Sequence, residues 1–132
     1  MVKKAYAEID CVAEVTPFIG NIGACYRAAD LVICRAGALT LAELAELGKA
    51  AILVPFPFAA HDHQVFNARA FAEKGAAVMQ VESELTAAGL SDVIENLITQ
   101  PERREQMARA AAELARPQAR TQIVNHCLEL IL

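Results

Sequence analysis

The stretch Arg35-Ala36-Gly37-Ala38-Leu39-Thr40-Leu41-Ala42-Glu43 decides the fold of this chain. It follows the apolar run Leu31-Val32-Ile33-Cys34 and opens an amphipathic segment that ends near Gly48, which predicts a strand, a glycine turn and a helix in immediate succession. Such a turn leaves the first N–H groups of the helix unpaired at the carboxyl end of the strand, where open parallel sheets hold phosphates. Glu43, one turn further along, is placed to accept two hydrogen bonds from a ribose. The stretch therefore predicts a nucleotide-diphosphate site.

The same residues also fit a purely structural interpretation. In Thr40-x-x-Glu43, Thr40 can act as N-cap and Glu43 as the third helical residue, each accepting a hydrogen bond from the other's backbone N–H. The two interpretations are compatible, because a helix start with free amides is also an anion site.

Composition restricts the function classes. The chain has 132 residues, of which 55% are hydrophobic and 21% charged, and its net charge is −4. This predicts one compact domain with an aliphatic, alanine-rich core, and it argues against a nucleic-acid partner, which normally meets a basic surface. No apolar run approaches the roughly 20 residues that span a bilayer. The four cysteines form no CxxC pair, which favours reduced thiols over a zinc site or disulfides.

Apolar runs typical of strands alternate with helical periodicity along the chain. The predicted strands are 13–16, 31–34, 51–54 and 76–81. Helices are predicted for 2–8, from Ile22 to about Ala29, from the Gly37 turn to about Gly48, for about 63–74, around Leu90–Ile98, for 102–114 and after Pro117. The fold class is therefore α/β: a partial Rossmann-like parallel sheet of about four strands flanked by helices, with a helical C-terminal tail.

A second polar cluster follows the strand 51–54, at the same sheet edge as the Gly37 turn. Side chains that can read sugar hydroxyls are concentrated there, namely His63, Gln64 and Asn67. The run His61-Asp62-His63 resembles a metal site, but no third ligand has suitable spacing, so we predict no metal. A structural alternative is that Asp62 caps the following helix.

A third candidate is the loop Thr16-Pro17-Phe18-Ile19-Gly20-Asn21 after the first predicted strand. Its backbone could pair with the edge of a base. A turn with Phe18 packed beneath it explains the same residues equally well.

Taken together, these segments resemble the C-terminal half of MurG-type glycosyltransferases, which move N-acetylglucosamine from UDP onto undecaprenyl-pyrophosphoryl-muramyl-pentapeptide and so convert lipid I to lipid II in bacterial peptidoglycan biosynthesis. The resemblance runs over most of the chain and is strongest from about residue 15 to residue 81. The residues that carry it are 15–19, 28–40, 53–55, 62–64 and 67–69.

The resemblance assigns a role to each candidate residue. The backbone at Ile19 would recognise uracil, and Ile22 would pack nearby. Beyond Gly37, the amides of Ala38, Leu39 and Thr40 would meet the diphosphate and the sugar, while Glu43 would hold the ribose hydroxyls. The N-acetylglucosamine would face His63, Gln64 and Asn67.

The resemblance also implies an organisation. The family has two Rossmann-like domains in the GT-B arrangement, and residues 1–132 would form a single truncated donor-binding domain. The N-terminal acceptor domain, through which the intact enzyme would contact the inner face of the cell membrane, is expected to be missing. The first strands of the donor domain, with their Gly-rich loop, are expected to be missing too. We predict no cofactor and no catalytic residue in this chain, which alone would be inactive; the intact enzyme would be an inverting, metal-independent and cytoplasmic hexosyltransferase.

The absent strands would lie centrally in the sheet, between strands 13–16 and 31–34. We therefore predict either that these two strands pair directly or that two copies of the chain associate to cover the exposed edges. Two other functions stay open: the donor-binding subunit of a two-chain UDP-N-acetylglucosamine transferase, and a nucleotide-binding domain without transfer chemistry.

Overall fold

A computed structural model describes residues 1–59 and 62–131 of the chain, and within these ranges the fold is α/β. Three strands, β1 (Val32–Cys34), β2 (Ala51–Leu53) and β3 (Ala77–Met79), form a parallel sheet in the order β1-β2-β3. Their carboxyl ends are level, because Cys34 is in register with Leu53, and Leu53 with Met79. The loops that follow the strands therefore meet at one edge of the sheet.

Seven α-helices are found within the same ranges. They are α1 (Val2–Glu8), α2 (Ile22–Ala28), α3 (Ala38–Glu46), α4 (His63–Glu73), α5 (Ala87–Thr99), α6 (Pro101–Glu113) and α7 (Ala119–Ile131). A short 3-10 helix, Glu82–Glu84, follows β3. These confirm the predicted alternation of helices with the last three strands and the helical C-terminal tail.

The core lies on both faces of the central strand β2. Leu53 belongs to a cluster with Leu41 and Leu44 of α3, on one face. Ile52 belongs to a second cluster with Leu97 of α5 and Met107 of α6. Successive side chains of a strand point to opposite faces, so a strand buried on both sides must be apolar at every position. This burial fixes β2, and β2 in turn positions the loops at its carboxyl end.

The predicted strand at 13–16 is wrong. Residues 11–16 have no strand assignment, Val12 is fully exposed, and the described sheet has three strands rather than about four. Direct pairing of this segment with β1, one of the two predicted outcomes, is therefore wrong as well. The physical reason is that a strand exists only through hydrogen bonds to a neighbour, which local apolar pattern cannot supply.

β1 is accordingly an edge strand of the described sheet, and its central residue Ile33 is 46% exposed. Phe18, which the turn interpretation packs beneath the loop, is instead 81% exposed. In the described part of the chain, every helix is too short or too polar to cross a bilayer.

Candidate functional site

The turn between β1 and α3 leaves helix amides open to solvent. Gly37 is the N-cap of α3 in an extended conformation, with φ −68° and ψ 144°, and no side chain caps the helix. The first helical hydrogen bond runs from Leu41 N–H to the Gly37 carbonyl at 3.0 Å. Within the described residues, the three amides before it, those of Ala38, Leu39 and Thr40, donate to no protein acceptor. The turn therefore has the geometry of an anion site.

The capping-box interpretation is wrong. Gly37 is the N-cap, so Thr40 is already the third helical residue and Glu43 lies in the second turn. Because the helix begins three residues earlier than the box requires, both side chains remain free of that role.

A cavity of about 540 Å³ lies between α2 and α3. It brings together three residues predicted for the site, because its lining includes Ile22, Leu39 and Glu43. Tyr26 lines it as well, and burial together with the nearby charge of Glu43 raises the pKa of its phenol. A mostly apolar wall with the two carboxylates Glu43 and Glu46 matches a nucleoside, whose base is flat and whose ribose offers hydroxyl donors.

Ile19 lies apart from that lining, in the loop before α2. It is partly exposed, and the loop is fixed by Asn21, whose side-chain oxygen accepts a hydrogen bond from Ala24 N–H at 3.1 Å. The Thr16 hydroxyl donates to the Phe18 carbonyl at 2.8 Å and folds the same loop back on itself.

Gln64 and Asn67 join the loops after β1 and β2. Gln64 Oε1 accepts hydrogen bonds from Ala36 N–H at 3.1 Å and from Phe56 N–H at 3.0 Å. Asn67 Nδ2 donates to the Ala36 carbonyl at 3.0 Å. Both backbone polar groups of Ala36, the residue before Gly37, are thus bound by side chains of α4. Among the described residues the side-chain nitrogen of Gln64 makes no hydrogen bond, so it is the group of Gln64 that is available to a ligand.

His63 and Asp62 lie at the start of α4. His63 is the exposed first residue of α4. Asp62 occupies the N-cap position in the left-handed region, at φ 54°, but its side chain makes no capping hydrogen bond, so that predicted role is wrong. His61 lies outside the described residues; among those that are described, no group of three His, Cys, Asp or Glu side chains could hold a metal ion.

Arg35 is a site residue to which the sequence pattern assigns no role. Its Nη1 donates to the carbonyls of Pro55 at 3.2 Å and Val54 at 3.4 Å, and it forms an ion pair with Glu82. The guanidinium also lies over the ring of Phe56, 5.5 Å from the ring centre. One signal for such a role was present: a cation placed directly after a buried strand can reach the carbonyls that end the neighbouring strand.

Comparison with known proteins shows which family has a similar sequence. Residues 1–123 match the model of the glycosyltransferase family 28 C-terminal domain. An Anaeromyxobacter protein named UDP-N-acetylglucosamine--N-acetylmuramyl-(pentapeptide) pyrophosphoryl-undecaprenol N-acetylglucosamine transferase is 52% identical over 98% of this chain. A protein of the same name from Myxococcus xanthus is 47% identical over 99% of the chain.

The solved structure of Acinetobacter baumannii MurG is also similar, with a TM-score of 0.89 and 36% sequence identity over 96% of this chain. The matched region is 37% of that structure's chain. The present chain likewise spans about a third, 34%, of the length of the two relatives.

Proposed function

The chain belongs to the glycosyltransferase family 28 C-terminal domain family, and from this we propose that it binds UDP-N-acetylglucosamine as the sugar donor of a glycosyltransferase. The observation that carries the proposal is the open start of α3 at the carboxyl edge of the sheet, next to a cavity that holds a carboxylate. In the parent reaction the sugar passes to undecaprenyl-pyrophosphoryl-MurNAc-pentapeptide, at the cytoplasmic face of the cell membrane.

Each part of the donor has a chemically matched partner. The diphosphate meets the free amides of Ala38, Leu39 and Thr40, and the ribose hydroxyls donate to Glu43. The uracil lies toward Ile22, with the backbone of Ile19 at its edge. On the sugar side, Gly37 permits close approach, while His63, the Gln64 side-chain nitrogen and Asn67 face the N-acetylglucosamine.

The chemical contribution of this donor-binding chain is to stabilise the leaving group. When the bond between the anomeric carbon and the diphosphate breaks, negative charge grows on UDP. Amides already fixed at the start of α3 stabilise that charge without rearranging, which is the basis of electrostatic preorganisation. The group that deprotonates the attacking hydroxyl comes from the acceptor-binding half of the parent enzyme.

The side of β1 that pairs with no other strand of the described sheet is the surface through which we propose that the chain contacts other protein. In the parent enzyme this edge meets another part of the donor domain. Where that part is absent, we propose that a second copy of the chain covers the edge, because an exposed strand is a template for further pairing.

Titration calorimetry of the wild-type chain tests the donor assignment. We expect saturable binding of UDP and of UDP-N-acetylglucosamine, and much weaker binding of ADP-glucose, whose purine does not fit a pyrimidine site. Absence of binding of both uridine ligands at millimolar concentration, by a chain with a native circular dichroism spectrum, would contradict the assignment.

A further inference from the structure

The ion pair between Arg35 and Glu82 joins segments that are 47 residues apart in the sequence. Glu82 begins the 3-10 helix after β3, whereas Arg35 directly follows β1. Both side chains are substantially exposed, 47% for Arg35 and 43% for Glu82. Exposed ion pairs contribute little to folding stability, so stability alone gives no reason for this one.

The pair has a geometric consequence, because Arg35 is part of a closed ring of contacts. Arg35 donates to the Pro55 carbonyl, and the next residue, Phe56, donates its N–H to Gln64 Oε1. Gln64 Oε1 also accepts from the N–H of Ala36, which follows Arg35 in the chain. We call the five residues Arg35, Ala36, Pro55, Phe56 and Gln64 the edge ring.

Glu82 lies outside the edge ring, and among the described residues Arg35 is the member of the ring with which its side chain forms an ion pair. A guanidinium on a long, flexible side chain has many rotamers, and it holds a carbonyl only while one of them is favoured. The carboxylate of Glu82 favours the rotamer that reaches Pro55 and lies over Phe56. Fixing Phe56 then fixes the oxygen of Gln64, and with it the direction of the Gln64 side-chain nitrogen.

We propose that Glu82 is a positioning residue for the sugar part of the donor: it orients Arg35, and through the edge ring it orients Gln64. This inference rests on the proposed function, and it adds a residue from the third strand's loop to the site. The inference applies to the sugar and not to the nucleoside of the ligand, because the cavity residues Ile22, Leu39 and Glu43 are not members of the edge ring.

Amide hydrogen exchange followed by NMR tests whether Glu82 orders the edge ring in the absence of a ligand. The wild-type chain is compared with Glu82→Gln. We expect the amides of Ala36 and Phe56 to exchange roughly 5- to 10-fold faster in Glu82→Gln, since both hydrogen bonds to Gln64 open more often. Glu84→Gln is the matched control, because Glu84 lies in the same 3-10 helix and outside these contacts. Glu82→Asp keeps the charge and should restore part of the protection.

Calorimetry then separates positioning from a general loss of structure. In Glu82→Gln we expect the Kd for UDP-N-acetylglucosamine to rise about 3- to 10-fold while the Kd for UDP changes less than about 2-fold. Unchanged exchange at Ala36 and Phe56, or an equal loss of affinity for both ligands, would overturn the inference. Failure of the donor assignment itself is recognisable separately, because then the wild-type chain binds neither ligand.

Discussion

Glu43 and Glu46 both line the cavity between α2 and α3, but they lie at different distances from the start of α3. Glu43 is three residues, or about 4.5 Å of helix rise, nearer to the amide-lined turn than Glu46, so it is the carboxylate that we propose for the ribose. We therefore expect Glu43→Ala to weaken UDP binding by about 1.5–3 kcal/mol, the range for hydrogen bonds to a charged partner.

Titration calorimetry with UDP and 2′-deoxy-UDP measures this loss directly. The wild-type chain should prefer UDP, and Glu43→Ala should remove most of that preference. Glu46→Ala is the control and should retain it. If the two variants lose affinity equally, the ribose contact is not specific to Glu43.

Cys34, at the end of β1, differs chemically from the other three cysteines. Burial raises the pKa of its thiol from 9.0 to about 11, whereas Cys11, Cys25 and Cys127 are exposed. Because the thiolate is the nucleophile, we expect iodoacetamide at pH 8 to modify three thiols rapidly and Cys34 slowly. Mass spectrometry of the time course identifies the slow site, and in denaturant all four should react alike. Rapid modification of Cys34 in the folded chain would contradict this.

The same shift has a consequence for stability. Below pH 9 the Cys34 thiol is protonated in both the folded and the unfolded chain, so pH has no effect through this group. Between pH 9 and about 11 the unfolded chain loses the proton first, and the free energy of unfolding falls as the pH rises. Urea titrations at several pH values should show this decline, and Cys34→Ala should show less of it.

At the scale of single elements, the ends of α3 and α4 depend on two glycines. Gly48 has φ +57° and Gly75 has φ +73°, a region that costs other residues roughly 1–2 kcal/mol. A Cβ on Gly48 would also lie 3.4 Å from the Ala108 carbonyl oxygen of α6, while one on Gly75 would meet nothing within 4 Å. Neither position is crowded, because 3.4 Å is an ordinary van der Waals contact, so the backbone conformation is the main cost at both.

We expect alanine at Gly75 and alanine at Gly48 each to lower the free energy of unfolding by about 1 kcal/mol. Gly20→Ala is the control, because a Cβ there meets open space and the φ angle is not positive. Urea unfolding followed by circular dichroism gives the three values. A cost at Gly20 equal to that at Gly48 would refute the conformational explanation.

For the whole molecule, the free edge of β1 predicts self-association. Ile33 at its centre is 46% exposed, and the apolar side chains of Val12 and Phe18 in the segment before α2 are exposed as well. Sedimentation velocity should show a sedimentation coefficient that rises with concentration for the wild-type chain. Ile33→Lys should suppress the rise, because a charge on an edge strand opposes pairing.

Ile98→Lys serves as the control for that experiment. Ile98 is exposed too, but it lies on the helix α5 and not on a strand. A wild-type chain that stays monomeric at all concentrations, or an equal effect of both substitutions, would contradict association through β1.

The sequence by itself determined most elements whose cause is local, although not the short 3-10 helix Glu82–Glu84. Apolar periodicity located the seven helices and three of the strands, and the glycine after β1 located the open start of α3. Pro101 begins α6, as expected of a residue that lacks an N–H at a position where none is needed. These features follow from a few neighbouring residues, so a pattern of neighbouring residues suffices to predict them.

Only the tertiary structure decided which distant groups are partners. Gln64 has its oxygen bound to Ala36 and Phe56, and Arg35 is bound to Glu82, pairings that connect the loops of three different strands. The segment 13–16 has the pattern of a strand and yet is none in the described sheet. The physical reason is the same in both cases: a hydrogen bond needs two groups at one place, and their meeting depends on how the whole sheet is assembled.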